Sequence, residues 1–204
     1  MKKIALCAAT LIMACTIPLE AKAAELDSPA SAEIAVESQN LENIQDTVLV
    51  STISEEEFIM PTVDSMPDQK YAYLVAGTDQ YNDLIKQIGF EYGIDPVFIK
   101  TIMAVESCGE MSAKNGSHIG LYQIAKSFGY DTEKMFIDSD YATRAACEVI
   151  NSKAAACDSK KVGHSIYYVA KFYNGSSSYG KKVGYIYNQL CGKSKDTSIY
   201  LAEQ

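Results

Sequence analysis

No tryptophan occurs among the 204 residues, and histidine appears only as His118 and His164, far apart in the chain. No C-x-x-C pair is present either, so a structural zinc site lacks both its usual thiolate spacing and clustered imidazoles. Basic charge is in deficit. Eighteen Lys and Arg face 26 Asp and Glu, for a formal net charge of −8. A sequence pI near 4.8 excludes a protein whose main work is gripping nucleic-acid phosphates. After the first twenty residues there is no long apolar run, no heptad, no fixed-period repeat and no glycine-rich phosphate loop. What remains is apolar enough to fold: 48% of residues are hydrophobic, and the length fits one domain with extensions.

The extensions lie at the N-terminus. Lys2 and Lys3 precede an apolar stretch from Ile4 to Leu19 that leads into Ala21-Lys22-Ala23. This is the layout of a secretory signal peptide, expected over residues 1–23, and it implies export from a bacterial cytoplasm. Ile12-Met13-Ala14-Cys15 loosely echoes a lipoprotein signal, but Met13 fits that pattern poorly, so soluble export is preferred over anchoring at Cys15. Between residues 24 and 75, eleven acids face the single base Lys70, and no tyrosine precedes Tyr71. Many acids with few aromatics predict a solvated, flexible acidic tether. Residues 76–204 balance, with fourteen acids and fourteen bases, and are expected to form the folded unit.

Within that unit the periodicity is helical. Tyr81, Leu84, Ile85 and Ile88 recur at i, i+3, i+4 and i+7. Asp95-Pro96 then supplies an N-cap acid and a first-turn proline for an almost wholly apolar helix that ends at Glu106. Gly109, Asn115-Gly116-Ser117 and Gly120 predict turns or a short hairpin. Three more helices are expected, from Ser139 or Asp140 to about Ala156, from Ser165 to Tyr173, and from Tyr179 to Leu190. Four cysteines follow the signal segment: Cys108, Cys147, Cys157 and Cys191. An even count in an exported chain predicts two disulfides with three possible pairings, one of which joins Cys147 to Cys157 and Cys108 to Cys191.

The residues that carry chemistry are Glu106-Ser107-x-Gly109, Gly120-Leu121-Tyr122-Gln123 and Tyr173-Asn174-Gly175. A carboxylic acid at the lip of an apolar helix has its ionised form disfavoured, which keeps a general acid protonated near neutral pH. Helix geometry alone leaves a second reading, a helix-end carboxylate turned to solvent.

Together these motifs resemble the lytic transglycosylase and goose-type lysozyme family, which cleaves peptidoglycan glycan strands. The resemblance runs from about Tyr81 to Leu190. It implies a mostly α, lysozyme-like domain with a small loop or hairpin region, following the disordered acidic tether. It implies that Glu106 protonates the bond between N-acetylmuramic acid and N-acetylglucosamine and then acts as base. Tyr173 would orient Glu106, Gln123 and Tyr122 would contact sugar, Asn174 would brace its turn, and Ser107 the loop behind the acid. No cofactor or metal is required, and the expected partner of a monomeric enzyme is the glycan strand. A secretion- or conjugation-type envelope assembly, reached through the tether, is a further expected partner. Phe172 and Ser176-Ser177-Ser178 depart from the family pattern, and without tryptophan, stacking on sugar falls to tyrosines such as Tyr122, Tyr130 or Tyr179. A goose-type hydrolase using the same Glu106, or a wall-binding protein without activity, are the alternatives.

Overall fold

A computed structural model describes residues 54–201. The expected signal segment, Cys15 and most of the expected tether lie outside the described residues. Among the described residues seven helices surround a three-stranded antiparallel sheet of two-residue strands. The helices are α1 (Ala72–Val75), α2 (Asn82–Tyr92), α3 (Pro96–Ser107), α4 (Lys134–Ile137), α5 (Ser139–Ser159), α6 (Ile166–Asn174) and α7 (Ser177–Cys191). The strands are β1 (Lys114–Asn115), β2 (His118–Ile119) and β3 (Ile124–Ala125), in that order across the sheet. No described helix is long and apolar enough to cross a membrane.

α3 is the axis of the domain, packed by α1, α2 and α7. Nine consecutive residues from Pro96 to Ala104 are buried, as a helix without a polar face requires. Its start is fixed by Asp95, whose carboxylate accepts from Val97 N at 2.8 Å and from the Tyr187 hydroxyl at 2.6 Å. The C-terminal tail seals this end. Asp95 N donates to Ile199 O, Leu201 N to Gly93 O and Ile199 N to His164 O, and the Ile199 side chain is fully buried. α6 and α7 form the most extensive helix pair, joined at Gly175, which caps α6 with φ 80°. α5 is capped by Asp138, one residue before Ser139 and two before Asp140, the expected caps.

Two expectations are corrected here. The segment expected to be a tether up to residue 75 is packed from Ser54 onward. Met66, Leu74 and Val75 are buried, and Phe58 meets Phe90 edge-to-face at 5.6 Å. Lys100, in the middle of α3 and fully buried, clamps this strap by donating to Pro61 O at 2.6 Å, Asp79 Oδ1 at 2.5 Å and Asn82 Oδ1 at 2.7 Å. A buried ammonium needs such a set of acceptors, and the strap supplies one of the three. The expected disulfides are not formed. Cys147 and Cys157 are buried thiols on the one helix α5, ten residues and thus about 15 Å apart along its axis, beyond the reach of a bridge. Cys191 is also a thiol, donating to Tyr187 O at 3.2 Å, so it does not bridge to Cys108.

Candidate active site

Three stretches distant in sequence meet at the C-terminal end of α3. Ser107 Oγ donates to Leu121 O at 2.6 Å, and the Tyr173 hydroxyl donates to Tyr122 O at 2.8 Å. Two consecutive carbonyls of the Gly120–Gln123 turn are thus held, one from α3 and one from α6. Gln123 closes the turn from within. Its backbone takes φ 46°, and its Nε2 donates to Ala113 O at 3.0 Å and Gly120 O at 2.9 Å. A left-handed conformation at a non-glycine residue is strained, and the two amide bonds hold it there.

The turn after α3 depends on close backbone contact. Ser107 Oγ also accepts from Gly109 N at 3.2 Å. Gly109 has φ 79°, and a Cβ there would overlap the Gly77 carbonyl; a Cβ on Gly77 would overlap the Cys108 carbonyl. The chain just after the strap and the turn after α3 therefore touch main chain to main chain.

Glu106, the penultimate residue of α3, is half-buried at this junction. Loss of water around the carboxyl pushes its pKa from the ordinary 4.5 up to about 7, against the opposing pull of the Tyr179 hydroxyl and the Lys182 ammonium, both on α7. The Tyr179 hydroxyl is buried beside Glu106 and makes no hydrogen bond of normal geometry among the described residues. No carboxylate is among the described groups that act on Glu106. Glu110, the next acid in the chain, is exposed and accepts from Ser112 Oγ at 2.5 Å and Ser112 N at 3.1 Å.

The chain matches no family model, no curated protein and no solved structure. The chemistry of the site therefore rests on its own geometry and on the motif resemblance.

Several expected roles change. The hydroxyl proton of Tyr173 goes to Tyr122 O rather than to Glu106, although burial first and then the Glu106 charge push the Tyr173 phenol up. The tyrosine whose buried hydroxyl lies beside the Glu106 carboxyl is Tyr179. The Tyr122 ring is fully buried with its hydroxyl on Thr143 Oγ1 at 3.2 Å, so it cannot stack on a ligand. Tyr130 is half-buried and donates to Glu148 Oε2 at 2.8 Å. Asn174 ends α6 with a buried Oδ1 that has no hydrogen-bond partner among the described residues, and Gly175 makes the turn instead. Lys182 was not singled out by the sequence. Its signal is one helical turn of spacing from Tyr179, which puts both side chains on one face of α7. Among the described residues no cluster of three or more His, Cys, Asp or Glu is placed to hold a metal.

Proposed function

We propose that this chain is a peptidoglycan lytic transglycosylase, an exported enzyme of lysozyme-like fold that works with Glu106 as its single acid and base. The observation that carries the reading is a half-buried carboxyl at the end of an apolar helix, with a pKa of about 7 and, among the described residues, no second carboxylate acting on it. A group of that pKa still holds its proton near neutrality and can release and regain it within one cycle. Glycosidases that add water mostly use two flanking carboxylates, whereas intramolecular ring closure needs one. In the proposed cycle Glu106 protonates the glycosidic oxygen and the bond to the muramyl C1 breaks. The resulting carboxylate takes the proton of the C6 hydroxyl as O6 bonds to C1, giving a 1,6-anhydro end and returning Glu106 to its acid form. Tyr179 orients the carboxyl, and the clamped Gly120–Gln123 turn forms the adjoining wall. Ser107 and Tyr173 act by holding that wall.

The test is digestion of purified peptidoglycan followed by mass analysis of the released muropeptides. Anhydro-muramyl ends, lost in Glu106→Gln, are the expected result. Reducing ends instead would make the enzyme a hydrolase of the goose-lysozyme type, and no release from the unmutated chain would overturn both enzyme readings.

A further inference from the structure

Beside the Gly120–Gln123 wall, between the sheet and α5, lies a small open pocket of about 50 Å³ walled by His118, Gln123, Phe128, Val149, Lys153 and Tyr173. Two of these residues have no evident structural task. Phe128 closes a short turn after β3 and is 47% exposed, unusual for a phenylalanine. Lys153, half-buried on α5, holds its ammonium 5.5 Å from the centre of that ring. Among the described residues this ammonium forms no ion pair with a carboxylate. The partly sunk cation is thus directed over an aromatic face with its charge uncompensated, while exposed His118 adds a donor at the rim. Such a wall suits a ligand with an apolar face for Phe128 and an anion for Lys153. Gln123 and Tyr173 are shared between this pocket and the junction at Glu106, so a polymer lying along the wall meets both.

We propose that this pocket is a subsite for the carboxyl-bearing side group of a muramyl sugar, with Lys153 as the residue that selects it. The proposal rests on the glycan-cleaving reading above and adds a register to it. In an alternating strand only the muramyl sugar carries a carboxyl, on its lactyl ether or on the peptide attached there. A lysine that accepts this sugar alone decides which of the two alternating bonds lies at Glu106. The neutral N-acetylglucosamine ring offers Lys153 nothing and leaves the cation unpaired, so the strand shifted by one sugar is disfavoured.

The experiment is calorimetric titration of the Glu106→Gln chain with three soluble probes. These are a muramyl-containing tetrasaccharide with its peptides, the same tetrasaccharide with peptides removed, and chitotetraose. The expected result is binding of at least one muramyl probe about tenfold tighter than chitotetraose, the scale of one charge-assisted hydrogen bond. Lys153→Met added to that chain should collapse the ratio towards one, and Lys153→Arg should restore most of it. Preference for the peptide-bearing probe alone places the carboxylate on the peptide, preference for the stripped probe alone places it on the lactyl group, and either supports the subsite. Equal affinity for all three probes, or a ratio unchanged by Lys153→Met, overturns it. If thermal melts show that the Met variant is unfolded, Lys153→Gln is read in its place. Digestion by the unmutated chain separates the two failures: release of muropeptides with a flat Lys153 result removes the subsite only, and no release removes the enzyme reading with it.

Discussion

Glu106 is held between two demands, since the burial that keeps its proton also penalises its charge. With a folded pKa of about 7 against an ordinary 4.5, its protonated form is the one the fold favours. The associated stability is fully present below about pH 4.5 and is lost as pH rises through 7, because only the unfolded chain ionises freely in that window. Glu106→Gln should therefore be neutral at pH 4 and stabilising at pH 8, by up to about 3 kcal/mol at roughly 1.4 kcal/mol per unit. Denaturant unfolding of both chains at the two pH values measures this, and an equal difference at both would contradict it. The Tyr179 hydroxyl and, after it, the Lys182 ammonium oppose this rise, so Lys182→Met should move the alkaline limb of kcat/KM to higher pH. A limb that stays in place would show that the ammonium is too well solvated to act. Residue by residue, the position of Glu106 at the end of an apolar helix was legible in the sequence, but whether its carboxyl turned inward or to solvent was not, because helix geometry allows both. Nor was its tyrosine, because Tyr173 and Tyr179 both lie within reach of Glu106, and only coordinates show that the Tyr173 proton is taken by Tyr122 O.

α3 shows which elements a sequence reveals. Its cap, its first-turn proline and its burial are local signals within a dozen residues, and the helix spans the expected stretch. The clamp on Lys100 is not local: its acceptors are 18 to 39 positions away. Nor was the strap legible, because Phe58, Met60, Val63 and Met66 are scattered among acids with no helical or strand period. The disulfide expectation failed at the same scale: cysteine counting ignores that one continuous helix keeps Cys147 and Cys157 apart. The start of α3 yields a prediction. Asp95→Ala removes a cap and leaves the buried Tyr187 hydroxyl without its acceptor. The expected cost is about 2–3 kcal/mol, read as a lower denaturation midpoint with an unchanged slope. A change within experimental error would mean that the tail contacts at Ile199 hold this helix end alone.

For the described unit as a whole, the strap changes both its boundary and its charge. Residues 54–201 carry eighteen acids and fifteen bases, a net of −3 rather than the neutrality expected for the domain. A chain begun at residue 76 loses the buried side chains of Met66, Leu74 and Val75 along with Pro61 O, one of the three Lys100 acceptors. It should be less stable than one begun at residue 54 by about 4–6 kcal/mol, from the apolar burial alone. Comparable melting temperatures for the two would show that the strap contributes little to folding.

The main-chain contact between Gly77 and Gly109 has a consequence for how this protein can vary. Two positions 32 apart in the chain each exclude a side chain, Gly109 because of the Gly77 carbonyl and Gly77 because of the Cys108 carbonyl. No second substitution can make room, because what a new side chain would strike is a carbonyl rather than another side chain. A saturation mutational scan should find both positions indifferent to polarity and intolerant of size, down to alanine. Since one of them lies three residues after Glu106, drift just beyond the strap is constrained by the geometry of the acid.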